Sequence, residues 1–214
     1  MSQSRNITLT VIGLLVFITV IIAGFIHRIS LPRVMTESEM KINGLYLLDT
    51  PRSIDDFELV DHHGAPFNRA RLKGKWSLVF FGFTYCPDVC PTTMAFLNEF
   101  VISLEDTEAQ GTQVVMVTVD PARDTVQQLA GYVPFFNPDF VGVTGEFLDI
   151  HRFATALNTP FRKVTGEGDN YQIDHSANVV LINPRGDYHG FFKPPLDLAK
   201  MKTTYRSARF LWEQ

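Results

Sequence analysis

Cysteine is scarce in this sequence, with only 2 residues among 214. Two cysteines form one disulfide at most, which excludes a small domain held together by a disulfide framework. Basic residues are also too few for a nucleic-acid-binding stripe, because the chain has 19 Lys and Arg but 23 Asp and Glu, and its net charge is −4. The 45% of hydrophobic residues exclude a disordered or collagen-like chain. The length suits one ordinary domain plus an appendage.

Charge is absent from one long segment, the apolar run from Ile7 to Ile26. As a helix, this run would span about 30 Å, the thickness of the hydrocarbon core of a bilayer. A cleaved signal peptide is the alternative, but the run is longer than a usual signal-peptide core and no clear small-residue cleavage site follows it. We therefore predict an uncleaved membrane anchor over residues 1–29, a single transmembrane helix.

The segment that follows the anchor, residues 30–52, has the composition of a linker. Polar residues dominate it, and Pro32, Asn43-Gly44 and Pro51 interrupt any regular pattern. The rest of the chain, residues 53–214, is predicted to form one domain.

Strand and helix patterns alternate along this domain. The runs Trp76–Phe83 and Val114–Val119 are typical of strands buried on both faces. Helical patterns follow both, and Asp124 is predicted to cap the second helix. The remaining elements are a hairpin over 57–68, a strand over 140–143, a helix over 145–154, hairpins over 161–173 (turn Thr165–Asn170) and 178–192, and a helix over 196–211. This order predicts an α/β, thioredoxin-like domain with an N-terminal hairpin extension.

Both cysteines lie in one short segment, Tyr85-Cys86-Pro87-Asp88-Val89-Cys90-Pro91, directly after the first long strand. Loops at the carboxyl ends of strands are where α/β sheets bind ligands. Pro91 suits the first position of a helix, which predicts Cys90 near the N-cap, where the helix dipole favours a thiolate. Two thiolates suit Cu(I), or zinc if more ligands join them. A close pair equally suits reversible disulfide chemistry.

Of the six histidines, His175 is the best placed to join the cysteines. It lies just before the predicted strand 178–182. If that strand runs antiparallel to the first long strand, its start lies at the same edge of the sheet as the cysteine loop. The neighbouring Asp174 either orients another side chain or caps the turn. By contrast, we expect His62 and His63 to be solvated in a polar turn.

Two features disfavour a general dithiol oxidoreductase. Such enzymes have two residues between their cysteines and a cis-proline before the equivalent strand. Here three residues separate the cysteines, and the run Ser176-Ala177-Asn178 contains no proline. A peroxidase of the peroxiredoxin type is also disfavoured, because its Pro-x-x-x-Thr-x-x-Cys stretch is absent around Cys86.

Three segments together resemble the SCO/SenC family of copper proteins: Gly82–Thr93, Val119–Thr125 and Tyr171–Ser176. The resemblance covers roughly residues 50–212, and the layout of anchor and domain also agrees. It implies a thioredoxin-like fold that binds copper, as Cu(I) and in some states Cu(II), through Cys86, Cys90 and His175.

The same resemblance implies a metallochaperone rather than an enzyme. Its role would be to help assemble the dinuclear copper centre of cytochrome c oxidase. The partners would be the copper-bearing oxidase subunit and other copper donors or thiol reductases, with no nucleic acid. The domain would face the bacterial periplasm, or the mitochondrial intermembrane space, although the Lys and Arg count around the anchor weakly favours the opposite orientation.

Two alternatives use the same residues. A thiol–disulfide reductase would cycle Cys86 and Cys90 between dithiol and disulfide, and would keep the copper-ligand cysteines of the oxidase reduced. A copper or redox sensor is the other alternative.

Four more residues are candidates for shaping the metal site without binding the ion: Asp88, Asp120, Arg123 and Asp174. Asp88 lies between the cysteines and either tunes their charge or simply forms the turn. Asp120 and Arg123 follow the second strand at the same edge of the sheet. They could form a partner surface or surround the ligands, and a local ion pair explains them nearly as well.

Overall fold

The computed structural model describes residues 2–30, 34–164 and 171–214, and the chain divides into two units, Met1–Val34 and Met35–Gln214. The first unit contains helix α1 (Ser2–Ser30). Within it, Asn6–Ile26 is long and apolar enough to cross a membrane. The hydroxyl of Thr19 donates to the carbonyl of Leu15 at 2.8 Å, so this polar group is satisfied inside the helix. The helix is a candidate transmembrane anchor, as predicted.

The second unit is built on an eight-stranded sheet with the strand order β1-β10-β9-β4-β5-β6-β2-β3. Strand β4 pairs in parallel with β5, and β5 in parallel with β6, whereas the other neighbours are antiparallel. The strands are β1 (Leu45–Ser53), β2 (Glu58–Asp61), β3 (Pro66–Asn68), β4 (Trp76–Gly82), β5 (Thr112–Thr118), β6 (Val141–Thr144), β7 (Phe161–Val164), β8 (Gln172–His175), β9 (Val179–Ile182) and β10 (Asp187–Phe192). The helices are α2 (Glu37–Ile42), α3 (Val89–Ser103), α4 (Asp106–Gln110), α5 (Val126–Phe136), α6 (Phe147–Ala156) and α7 (Leu198–Trp212), with a 3-10 turn over Arg69–Leu72.

The core is centred on β4, in which all seven residues are buried. The continuous apolar sequence of this strand fits a position with both faces covered. Strand β9 runs antiparallel to β4, with Phe80 opposite Val179 and Ser77 opposite Ile182. The predicted antiparallel pairing is therefore confirmed, and the start of β9 lies beside the end of β4.

Residues predicted as a linker carry regular structure instead. Helix α2 begins after Thr36, which forms a capping box with Glu39. The following turn uses Gly44 at φ +93°, and β1 then pairs with β10 at the edge of the sheet. Pro51 is tolerated because the register of this edge pairing shifts between Leu47 and Arg52. The linker prediction thus fails over 37–52, while Pro32 lies outside the described residues.

Strands β7 and β8 form a separate two-stranded sheet, with Phe161 opposite His175. This pairing confirms the predicted hairpin, whose turn, Thr165–Asn170, lies outside the described residues. The N-terminal hairpin is also confirmed, since β2 pairs with β3 and extends the main sheet through β6.

Asp124 does not cap α5, contrary to the prediction. The cap is Thr125, whose hydroxyl accepts from the backbone N–H of Gln128 at 3.2 Å. Asp124 is fully buried, and its carboxylate accepts from the backbone N–H and the hydroxyl of Thr84, at 3.0 and 2.6 Å. The hydroxyl of Thr118 donates to the same group at 2.7 Å. Asp124 therefore ties the residues before Cys86 to the end of β5.

Candidate metal centre

The structure brings Cys86, Cys90 and His175 together at the carboxyl end of β4. One ligand atom from each, two sulfurs and an imidazole nitrogen, lies within 4.8 Å of the others. The Sγ atom of Cys90 is 3.6 Å from Nε2 of His175. Both cysteines are free thiols. The antiparallel pairing of β9 with β4 is what brings His175 to the cysteine loop across the long sequence separation.

The helix after the loop begins two residues earlier than predicted, and this changes the position of Cys90. Its first residue is Val89 and its N-cap is Asp88, so Cys90 lies in the first turn and Pro91 is the third helical residue. The backbone N–H of Cys90 donates to Sγ of Cys86 at 3.4 Å. An N–H group of the helix N-terminus is therefore directed at the sulfur of Cys86. The prediction that the helix N-terminus favours a thiolate at Cys90 is wrong.

This geometry also explains why Asp88 makes no capping hydrogen bond. An N-cap side chain normally accepts from the second or third N–H of its helix. Here the third residue is Pro91, which has no N–H, and the second N–H is already directed at Cys86. The carboxylate of Asp88 is left exposed between the two cysteines.

Cys90 is fully buried, whereas Cys86 is partly exposed. Burial, followed by a hydrogen bond with Cys86, raises the pKa of the Cys90 thiol well above its usual value. In the metal-free protein this thiol therefore stays protonated. A cation bound to the sulfur reverses that preference, because coordination to a metal deprotonates a thiol.

Gly82, the last residue of β4, makes room for the sulfur of Cys90. A Cβ atom at this position would lie 3.0 Å from Sγ of Cys90 and 2.7 Å from the ring of Phe80. Both distances are too short for an ordinary contact, so a larger residue would displace the sulfur or the ring. This role of Gly82 was not predicted, although the glycine lies only three residues before Tyr85, where the cysteine segment begins.

The imidazole of His175 is oriented by the backbone of the next residue. Its Nδ1 atom is 3.1 Å from the carbonyl oxygen of Ser176. Because a carbonyl oxygen only accepts, Nδ1 carries the proton and the lone pair of Nε2 is directed at Cys90. Burial lowers the pKa of His175, which favours the neutral, metal-binding form of the ring. The rings of Phe80 and Phe83 pack edge-on against it, with centroids 6.0 and 5.8 Å away.

Asp174 is not the group that orients His175. Its carboxylate pairs with Arg162 at 3.2 Å on the surface, where both side chains are more than half exposed. Asp120 is buried and pairs with Arg123, and it also accepts from the hydroxyl of Tyr171 at 2.6 Å. Of the four candidate surrounding residues, only Asp120 and Arg123 thus contact each other and the segment that carries His175.

Among the residues whose side chains the structure describes, no histidine other than His175 belongs to this cluster. His62 was expected to be solvated, but it is buried, and its Nδ1 accepts from the backbone N–H of Gly142 at 2.9 Å. That bond to the neighbouring strand β6 replaces the water expected in a polar turn. His189 is buried against the rings of Trp76 and Trp212.

The ligand set fits a soft, low-coordinate ion. Two thiol sulfurs and one imidazole nitrogen suit Cu(I). Zinc usually takes four protein ligands in a structural site, and the cluster found among the described residues has three. The partial exposure of Cys86 and His175 leaves one side of the cluster accessible to a partner.

Comparison with known proteins gives this site a family context. A family model described as SCO1/SenC matches residues 48–208. The chain belongs to the SCO1/SenC family. This SCO1/SenC chain is 40% identical over 152 residues to a Stutzerimonas stutzeri protein whose name contains the words copper-binding protein, which covers 71% of the chain and 74% of the relative. It is 34% identical over 160 residues to sco1 of Schizosaccharomyces pombe, covering 72% of the chain and 60% of that relative.

Solved structures of the family share the fold of this SCO1/SenC chain. The crystal structure of Arabidopsis thaliana ScoI with copper bound matches with a TM-score of 0.67 and 29% identity, over 75% of this chain and 98% of that one. The predicted thioredoxin-like α/β domain, preceded by one apolar helix, is therefore confirmed.

Proposed function

We propose that this chain is a membrane-anchored copper chaperone that delivers copper to the dinuclear centre of cytochrome c oxidase during its assembly. The observation that carries the proposal is the cluster of Cys86, Cys90 and His175, whose ligand atoms lie within 4.8 Å of one another. Further support comes from membership of the SCO1/SenC family and from the copper in the related ScoI structure.

Each ligand has a distinct part in holding the cargo. Cys86 is partly exposed and offers the first sulfur to incoming copper. Cys90 is buried and must lose its proton as the ion binds, since the ligand is the thiolate. Burial favours the neutral form of His175, and the hydrogen bond from its Nδ1 to the carbonyl oxygen of Ser176 directs its Nε2 at Cys90. Three ligands leave room for a thiolate of the recipient, so copper passes by ligand exchange.

The chaperone works only while both thiols are reduced. Joining Cys86 and Cys90 in a disulfide removes two electrons and both thiol protons, and with them two of the three copper ligands. A separate thiol reductase would then have to reduce this disulfide and restore the two thiols. A redox-linked pair of this kind fits an oxidising compartment, the periplasm or the mitochondrial intermembrane space. The apolar helix α1 would hold the domain near its membrane-bound recipient.

A thiol–disulfide reductase is the second candidate, and one observation favours it. A partly exposed Cys86 beside a buried Cys90, with a backbone N–H directed at the outer sulfur, is an arrangement that suits attack by Cys86 and resolution by Cys90. The reductase function needs no histidine. Only the chaperone function therefore depends on His175.

A transfer assay tests the chaperone proposal. The reduced full-length chain in detergent is loaded with Cu(I), mixed with the reduced, metal-free copper domain of the oxidase subunit, and separated from it. Copper should appear on the recipient in proportion to the loaded chain, and His175→Ala should transfer much less. Copper that stays on the donor would contradict a chaperone and favour a sensor.

The same assay identifies the reductase. The recipient is first oxidised to its disulfide and then incubated with the reduced, copper-free chain and a separate supply of Cu(I). If His175→Ala restores the copper centre as fully as the unaltered chain, while Cys86→Ser does not, the reductase is the main function.

A further inference from the structure

The two parts of the metal site have different structural supports. Cys86 and Cys90 follow β4, the central strand of the eight-stranded sheet. His175 ends β8, which pairs only with β7 in the separate two-stranded sheet. In the described residues, no backbone ladder joins this β7–β8 hairpin to the main sheet. The pairing of β9 with β4 brings His175 near the cysteine loop, and side-chain contacts then have to hold the β7–β8 hairpin in place against that loop.

Arg123 makes contacts with both supports. Its guanidinium carbon lies 3.8 Å from the ring centre of Tyr171, which directly precedes β8. The same carbon lies 4.9 Å from the ring of Tyr85, the residue before Cys86, and 5.7 Å from that of Phe83. A planar guanidinium can stack flat on an aromatic face, whereas an ammonium approaches a ring only as a point charge.

Hydrogen bonds fix the guanidinium in this position. Arg123 donates through Nη2 to the carbonyl oxygen of Tyr171 at 3.2 Å and through Nε to the carboxylate of Asp120. The other oxygen of Asp120 accepts from the hydroxyl of Tyr171 at 2.6 Å. The side chains of Arg123 and Asp120 are only 15% and 4% exposed, so water competes little with these bonds.

We propose that Arg123 is a positioning residue that holds the β7–β8 hairpin against the cysteine loop and so places His175 at the metal. The inference rests on the proposed copper site, and it assigns to Arg123 a role that acts only through His175. A surface ion pair with Asp120 would explain neither the three aromatic rings around the guanidinium nor the bond to the Tyr171 backbone.

The test is a double-mutant cycle on Cu(I) affinity. The reduced full-length chain in detergent is titrated against a chromophoric Cu(I) chelator as the unaltered chain, Arg123→Gln, His175→Ala and the double variant. Arg123→Gln should lower the affinity by about 10- to 100-fold, as is typical for residues that orient metal ligands. In the His175→Ala background the same change should alter affinity by no more than about twofold.

Two further variants secure the comparison. Arg152→Gln removes the same charge from a surface arginine that pairs with Asp149 and is 77% exposed, and it should leave the affinity unchanged. Arg123→Lys keeps the charge but loses the planar stacking, and it should lose affinity in the same His175-dependent way. Thermal unfolding shows which variants are folded, and Arg123→Lys serves in place of Arg123→Gln if the latter is not.

A readout without copper accompanies the cycle. In the metal-free chain, amide hydrogen exchange of residues 172–175 should be faster in Arg123→Gln than in the unaltered chain, and unchanged in Arg152→Gln. Equal losses of affinity with and without His175, or unchanged exchange, would overturn the inference. If instead His175→Ala binds Cu(I) as tightly as the unaltered chain, the proposed copper site itself fails, and the exchange result still reports on the contact.

Discussion

At the scale of single residues, the two cysteines are chemically unequal. Cys90 is fully buried and its thiol has a raised pKa, while Cys86 is partly exposed and accepts the N–H of the first helical turn. The buried sulfur therefore holds its proton until a cation replaces it. The outer sulfur meets the partner first. This difference fits a site that must both retain copper and release it.

The raised pKa of Cys90 predicts that copper affinity depends on pH. The folded, metal-free protein keeps this thiol protonated even above the usual thiol pKa, so each copper bound must release that proton. Cu(I) affinity should therefore rise by about tenfold per pH unit for this proton as the pH increases from 6.5 to 8.5. Chelator competition at fixed ionic strength measures it, and a flat profile would show that Cys90 does not bind as a thiolate.

Gly82 provides a second test at this scale. Adding a methyl group there would press on Phe80 and on the sulfur of Cys90. We expect Gly82→Ala to destabilise the metal-free chain by about 1–3 kcal/mol and to weaken copper binding as well. Urea unfolding and chelator competition measure the two effects.

Gly131 is the matched control for this change. It lies inside α5, and a Cβ atom there would meet no atom within 4 Å. Gly131→Ala should stabilise the chain by roughly 0.5–1 kcal/mol, because alanine favours a helix. Equal behaviour of the two alanine variants would refute the packing role of Gly82.

The metal site could be predicted from the sequence only in part: the ligands could be identified, but their orientation and burial could not. Cys86, Cys90 and His175 stand out because their types are chemically distinctive and a strand pairing brings them together. The orientation of His175 depends on a backbone carbonyl of Ser176, and carbonyls are the same in every sequence. Burial of Cys90 depends on the packing of Gly82 and Phe80, which has no local signal.

At the scale of elements, the loop between β5 and α5 supports the cysteine loop. Asp124 lies in it, and its carboxylate accepts three hydrogen bonds, two from Thr84 and one from Thr118. The next residue, Thr125, caps the helix. Adjacent residues thus have separable roles, one in anchoring the loop and one in beginning the helix.

This separation predicts different costs for two neighbouring substitutions. Asp124→Asn places amide hydrogens among donors in a buried site, and should lower the free energy of unfolding by about 2–3 kcal/mol. Thr125→Ala removes one exposed cap bond, and should cost about 1 kcal/mol. Urea unfolding of the metal-free chain compares them. A larger loss in Thr125→Ala than in Asp124→Asn would refute the anchoring role of Asp124.

The elements themselves were largely predictable, because long apolar runs such as Trp76–Phe83 leave few alternatives to a buried strand. Helix α2 and strand β1 were missed for a different reason. The helix is short, and the strand contains Pro51 and lies at an edge, so neither has a sustained period. Pairing of β1 with β10, a contact remote in sequence, stabilises the strand.

At the scale of the whole molecule, copper delivery to the oxidase requires the domain to lie outside the cytoplasm. The chain is expressed in a Gram-negative bacterium, and protease is added to spheroplasts. The domain should be digested while a cytoplasmic marker survives, because the proposed delivery of copper to the oxidase needs residues 35–214 on the periplasmic side of the candidate span Asn6–Ile26. Protection of the domain until the cells are lysed would place it in the cytoplasm, as the weak Lys and Arg count favours.

Metal analysis of the reduced full-length chain shows whether one copper ion binds to Cys86, Cys90 and His175. After titration with Cu(I) and removal of excess metal, we expect about one copper per chain. The variants Cys86→Ser and Cys90→Ser should retain little copper. The loss of Cu(I) affinity in His175→Ala should exceed the roughly 10- to 100-fold loss that is typical of residues that only orient metal ligands. Unchanged copper content in the cysteine variants, or zinc binding of equal affinity, would show that these residues do not form a copper site.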